Sequence, residues 1–257
     1  MLLNTYIPAP QLRPFIKSFL VIESSDDLVN RILPGTSMAI AFRYKGQVNY
    51  LKDDAYDHLP VSTITGLRKS VRLINYQKDS ANIIVVFKEA GASAFFREPL
   101  NELFEESISL DNLIPRQEIL DIEDRLATAF DTPQRIAIVE AFLSSKLKAQ
   151  ETDKLVQTAV EKIYNTAGII RMKELADILY ISKDAFEKRF RKTVGASPKL
   201  FSSVVRMNAA IHHHKPIHTM LDIALDAGYY DQAHFNKAFK LFTGQTPLDF
   251  FKSPPSW

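Results

Sequence analysis

The stretch Ala185-Phe186-Glu187-Lys188-Arg189-Phe190-Arg191-Lys192, followed by Gly195-Ala196-Ser197-Pro198, returns 49 residues later. Its second copy is His234-Phe235-Asn236-Lys237-Ala238-Phe239-Lys240-Leu241 with Gly244-Gln245-Thr246-Pro247. A constant offset marks one supersecondary unit used twice. Each copy follows a shorter amphipathic segment, Met172 to Tyr180 and Thr219 to Ala227, with Ala176 and Ala224 small enough for a close helix crossing. Ser182 and Asp231 read as N-caps, whose side-chain oxygens accept from free amides of the following turn. Gly195 and Gly244 stand where a helix ends and a Cβ is unwelcome, with Pro198 and Pro247 three residues on. Each unit therefore reads as helix, tight turn, helix. The pairs Phe186/Phe190 and Phe235/Phe239 form the buried stripe. The opposite face carries Asp184, Glu187, Lys188 and Arg191 in the first unit, and Gln232, Ala233, Asn236, Lys237 and Lys240 in the second.

Those faces are rich in groups that hydrogen-bond base edges and phosphates, and the charge distribution agrees. The 257 residues hold 32 basic and 30 acidic side chains, but residues 154–257 carry 15 Lys/Arg against 9 Asp/Glu, whereas residues 1–153 carry 17 against 21. One basic end suits a polyanion partner. With 46% hydrophobic and 24% charged residues the chain is of globular composition, long enough for two modest domains. The absence of cysteine excludes disulfides, thiolate nucleophiles and cysteine-ligated zinc. No signal-like start and no apolar run of about 18 residues is found, so a cytoplasmic protein without membrane contact is expected.

The first ninety residues read as β-structure. Pro14 to Glu23, Ser37 to Tyr44 and Val61 to Thr65 are short runs of aliphatic, aromatic and β-branched residues between turn signals. Ser70 to Gln77 and Asn82 to Phe87, split by Lys78-Asp79-Ser80, suggest a hairpin whose second strand is buried on both faces. Helical spacing is expected over 92–107 and 116–150, with Ile119, Ile122, Leu126 and Phe130 on one stripe and Pro133 separating two helices. The polar run Lys148 to Lys154 is the linker. The expected fold is α+β: a β-rich, barrel- or sandwich-like sensor or dimerisation domain over 1–152 with its helical extension at 116–150, then an all-α domain over 153–257 holding two helix-turn-helix units joined by a long helix.

The segment Met172 to Pro247 resembles the DNA-binding domain of the AraC/XylS transcription regulators. The resemblance rests on Leu175-Ala176-x-x-Leu179-x-Ile181-Ser182, Phe186-x-x-x-Phe190-Arg191, Gly195-x-Ser197-Pro198 and Arg206-x-x-x-Ala210. It continues gapless through Ile223-Ala224-x-x-x-Gly228-Tyr229-x-Asp231-x-x-x-Phe235-x-x-x-Phe239-Lys240-x-x-x-Gly244-x-Thr246-Pro247. It implies that the second helix of each unit enters the major groove, with base-reading roles on Asp184, Glu187, Lys188, Gln232, His234, Asn236 and Lys237. Ser182, Arg191, Lys192, Arg206 and Lys240 are the candidate phosphate contacts. Two departures stand out: His213 and His214 replace apolar residues usual in the family, and Arg189 takes another often apolar position. At the amino end, Leu12 to Val21, Leu33-Pro34-Gly35 and Val86-Phe87-Lys88-Glu89-Ala90-Gly91 leading to Pro99-Leu100-Asn101-Glu102-Leu103 look like the β-rich domain of some such regulators.

The expected function is sequence-specific transcription regulation on double-stranded DNA. Two recognition helices would sit in successive major grooves about 34 Å apart, held by a connecting helix about 24 Å long at 1.5 Å per residue. RNA polymerase, a small-molecule effector and a second copy of the chain are the further partners this reading admits. Catalysis is not expected: no P-loop, G-x-G-x-x-G or G-x-S-x-G occurs, and the carboxylates at Glu105-Glu106 and at Asp121 with Glu123-Asp124 read as solvated helix faces. No cofactor or metal is expected either. Successive His212, His213 and His214 point about 100° apart around a helix, even with His218 nearby. Phe15, Phe19, Phe42, Phe87, Phe95 and Phe96 read as core. Two alternatives remain open: the amino-terminal domain as an enzyme or constitutive small-molecule binder, or as a pure dimerisation module.

Overall fold

A computed structural model describes residues 1–53, 55–148, 153–213 and 219–252. The β-rich part contains β1 (Leu2–Tyr6), β2 (Ile16–Ser24), β3 (Leu28–Ile32), β4 (Ala39–Lys45) and β5 (Val48–Lys52). It continues with β6 (Ala55–His58), β7 (Ser62–Thr65), β8 (Arg72–Tyr76), β9 (Ser80–Phe87) and β10 (Ser107–Ser109). They form two antiparallel sheets, a six-stranded one ordered β1-β2-β9-β4-β7-β10 and a four-stranded one ordered β3-β8-β5-β6. The arrangement is two sheets rather than a closed barrel. β9 lies at the middle of the larger sheet and is buried along most of its length, as its unalternating apolar run requires.

The expected hairpin of β8 and β9 does not form. β8 pairs with β3 and β5, while β9 pairs with β2 and β4 in the other sheet. The turn at Asp79, with φ 59°, passes the chain between sheets. The expected helix over 92–107 is also replaced, by 3-10 turns at Gly91–Ala94 and Leu100–Leu103 and by the edge strand β10. Pro99 separates the two turns, and four-residue segments cannot sustain the i to i+4 ladder. Glu105 accordingly sits in a turn at φ 64°, not on a helix face.

Two helices follow, α1 (Arg116–Thr128) and α2 (Thr132–Lys146). Asp131 caps α2 by accepting from the Gln134 amide at 2.9 Å, and Pro133 lies in its first turn, where a missing N–H costs nothing. Ile119, Ile122 and Leu126 are buried, but Phe130 is 98% exposed: α1 ends before it, so Phe130 never joins the stripe. The proposed boundary at 152 and most of the linker fall outside the described residues.

The remaining elements are α3 (Lys154–Asn165), α4 (Met172–Ile178), α5 (Lys183–Val194), α6 (Pro198–His212), α7 (Met220–Asp226), α8 (Gln232–Thr243) and α9 (Pro247–Lys252). α4 with α5 and α7 with α8 are the two helix-turn-helix units, and α6, about 22 Å long at 1.5 Å per residue, joins them. The cores of the two units differ in kind. Phe186, Phe190, Val194 and Phe201 belong to one apolar cluster with Phe19, Phe42 and Phe87 of the sheet and Phe95, Phe96 and Leu100 of the 3-10 turns. The second unit closes its own cluster around Phe235, Phe239, Phe242 and Phe250. The first unit is thus built onto the β-rich part, while the second keeps its own cluster, against which only Leu33 of the β-rich part packs among the described residues.

Candidate nucleic-acid interface

The two units are framed by the same devices. Ser182 Oγ accepts from the Ala185 amide at 3.3 Å, and Asp231 Oδ1 from the His234 amide at 2.7 Å. Both α5 and α8 end on a left-handed glycine, Gly195 at φ 93° and Gly244 at φ 76°. Their amides return to the carbonyls of Arg191 and Lys240 at 2.9 and 2.8 Å, which closes each helix end. Ala176 and Ala224 are buried where the helices of each unit cross. Pro198 and Pro247 do more than stop a helix: each opens the next one, and Ser197 caps α6 through the Leu200 amide at 3.2 Å.

Asp184, Lys188, Arg191 and Lys192 of α5, and Gln232, His234, Lys237 and Lys240 of α8, are all exposed. Not every expected contact is free. The Glu187 carboxylate accepts from Arg191 Nε at 2.9 Å and Nη2 at 2.8 Å, so a base-reading and a phosphate candidate are held together. Asn236 is half-buried, and its Oδ1 is enclosed without a hydrogen-bond partner. Ser182 uses its hydroxyl as the cap. Arg206 lies inward from the expected surface. Its guanidinium stacks 4.4 Å from the centre of the Tyr229 ring, and its Nε is enclosed. Burial raises the Tyr229 phenol above the ordinary tyrosine value while the Arg206 charge opposes the shift. The His234 ring packs edge-on to Tyr229, 5.2 Å away between ring centres.

Some exposed groups were invisible to pattern reading. Tyr180 and Tyr230, 98% and 90% exposed, stand in the turns that lead into α5 and α8. A tyrosine normally hides its ring; a turn residue has no periodicity to reveal its direction. His212 and His213 are exposed, with His212 Nδ1 2.7 Å from the Asn208 carbonyl, while His214 and His218 lie outside the described residues. Among the described residues no group of His, Asp and Glu is placed to hold a metal ion, and no helix is long and apolar enough to cross a membrane. Arg189 resolves one departure from the pattern: its Nε donates to Asp153 Oδ2 at 2.6 Å, tying α5 to the start of α3.

The β-rich part touches the carboxyl ends of both recognition helices. Gly195 lies so near Leu100 that a Cβ there would be 3.2 Å from its carbonyl oxygen, and one at Gly244 would be 3.0 Å from Arg31 Nη1. Arg31 Nη1 also donates to the Thr243 carbonyl at 2.7 Å, a favourable position for a cation at a helix carboxyl end. Asn208 of α6 donates to the Pro34 carbonyl at 3.3 Å. Tyr164 of α3 is within hydrogen-bond reach of Glu89 and of Thr36, the latter at 2.8 Å.

Two helix-turn-helix units with exposed polar recognition faces on a joining helix define a DNA-binding domain. Residues 175–253 match the family model described as a helix-turn-helix domain. Residues 4–109 match a domain of unknown function (DUF6597). The chain is 34% identical over 121 residues to an uncharacterized HTH-type transcriptional regulator of Haemophilus influenzae, covering 46% of this chain and 41% of that protein. It is 29% identical over 120 residues to the Msm operon regulatory protein of Streptococcus mutans, covering 45% and 43%. The match thus spans about two-fifths of these curated relatives. A solved structure of ToxT from Vibrio cholerae aligns at a TM-score of 0.46 with 10% identity, over 92% of this chain and 98% of that one.

Proposed function

We propose that the chain is a sequence-specific, DNA-binding transcription regulator without catalytic activity of its own, acting in the cytoplasm. The observation that carries this reading is the duplicated unit: α5 and α8 share cap, glycine end and small-residue crossing, and each presents an exposed polar face. Lys188, Asp184, Gln232, His234 and Lys237 read bases; Lys192 and Lys240 contact phosphates without sequence choice. We assign residues 1–152, with α1 and α2, to the controlling domain and 153–257 to the DNA-binding domain. Control comes from the contacts at Gly195 and Gly244, through which the first domain fixes both recognition helices.

The test is selection of bound sequences from a random duplex pool by the full chain. The expected winner spans two adjacent major grooves and exceeds a scrambled duplex by about 10³ in affinity. Lys237→Ala should then weaken the winner several-fold. Affinity that is weak on every duplex and follows only salt would overturn the reading.

A further inference from the structure

A groove of about 480 Å³ opens between the two parts of the molecule, lined by Ser93, Ala94, Phe96, Arg97, Glu98 and Lys148 on one side and by Asp153, Arg189, Lys192 and Thr193 on the other. Four cations face two carboxylates. Asp153 is already committed: one oxygen accepts from Arg189 and the other from the Val156 amide at 3.1 Å. The Glu98 carboxylate is occupied in part by the Arg97 amide at 3.0 Å. Among the described residues, Arg97, Lys148 and Lys192 form no ion pair within 4.0 Å. The Lys148 backbone is fixed by its amide, which donates to the Ala94 carbonyl at 3.0 Å. Its ammonium is held below the ordinary lysine value, first by burial and then by the Arg97 charge, with the Glu98 carboxylate opposing the shift.

We propose that this groove is a binding site for a small organic anion, carrying a phosphate or carboxylate group, that bridges Arg97 and Lys148 of the β-rich part to Lys192 of α5. Cations beside one another without a close ion pair repel, and an anion between them converts that repulsion into charge-assisted hydrogen bonds. Buried Ala94 and Phe96 supply an apolar wall for the rest of the molecule. A small ligand fits better than a duplex because the site is a groove between the two parts of the molecule, narrower than a double helix. Bound there, the anion would take up Lys192 and hold the first recognition helix against the β-rich part. That coupling rests on the DNA-binding reading; the site itself does not.

The experiment is thermal unfolding of the full chain at fixed ionic strength, with inorganic phosphate, a sugar phosphate and citrate as separate arms and chloride as baseline. At least one arm should raise Tm saturably, by about 3–6 °C at ten times Kd. The Arg97→Gln/Lys148→Gln double variant should lose this rise, while Lys17→Gln, an exposed strand lysine elsewhere, keeps it. Lys192→Gln gives a second, independent loss if the double variant does not fold. Equal stabilisation of wild type and variants, or none by any anion, overturns the site. In the same series, a several-fold loss of duplex affinity by the double variant without added anion would assign the groove to DNA and overturn the small-ligand proposal. Failure to find an operator leaves the Tm result standing and bears only on the function.

Discussion

Glu187 and Arg191 sit one helical turn apart, and their two-point pairing sets the electrostatics of the first recognition face. A carboxylate near a duplex repels phosphate, and while it holds Arg191 it also withdraws a cation from the backbone. Removing it should act on both. Glu187→Ala is expected to raise affinity for any duplex several-fold and to steepen the dependence of log affinity on log salt by about one unit, the signature of one more neutralised phosphate. Stability should change little, by about 0.5 kcal/mol or less, because both partners are nearly half exposed to solvent. An unchanged salt slope would show that Arg191 is not released to DNA. The N-cap Asp231 makes the opposite kind of prediction. Asp231→Ala leaves the His234 amide unpaired, so it should cost about 1 kcal/mol, seen as a lower denaturant midpoint at constant slope.

At the scale of elements, α6 carries the sharpest question, because Arg206 was expected to contact phosphate and instead stacks on Tyr229 of the second unit. Its role is to lock α6 to the turn before α8. Arg206→Ala should lower stability by about 1–2 kcal/mol through the lost cation–π contact and leave the salt slope of DNA binding unaltered. A slope reduced by about one with unchanged stability would return Arg206 to the phosphate surface. The repeat, its caps, glycine ends and Phe stripes were legible because each has a local physical signature, and the helices of the two units and the one joining them came out within a residue or two of expectation, whereas the helix expected over 92–107 did not form. The β-rich part was less legible for a reason of the same kind. Strands β2, β4, β7 and β9 show apolar runs, but β3 and β6 hold no buried residue, β5 mixes Val, Asn, Tyr, Leu and Lys, and β10 is three residues long. A turn such as Lys78-Asp79-Ser80 announces a reversal without saying which sheet the chain enters. In the same way Glu187, Asn236 and Arg206 were placed by type and position, while their partners depend on packing.

At the scale of the molecule, the apolar core runs from the large sheet through the 3-10 turns into α5, while the second unit meets the β-rich part through Leu33 and through polar contacts at the far end of α8. The first unit is consequently fixed by extensive burial, and the second by the smaller contact of Leu33 together with Arg31 on Thr243 and Asn208 on Pro34. Tyr164 adds a third tie through Glu89 and Thr36. Its phenol is raised above the ordinary tyrosine value, chiefly by burial and then by the bond to Glu89, so it remains a donor throughout the neutral range. These ties set the separation and angle of the two recognition helices, and hence which spacing between half-sites is accepted. Arg31→Ala combined with Tyr164→Phe removes two of them without touching either recognition face. The variant should bind the best duplex several-fold more weakly, yet lose less than wild type when one or two base pairs are inserted between the half-sites. Amides at the carboxyl end of α8 should exchange hydrogen faster, as expected where a local tie is lost. A spacing profile identical to wild type would mean that α6 alone fixes the two units, and that control by the β-rich part does not run through these contacts.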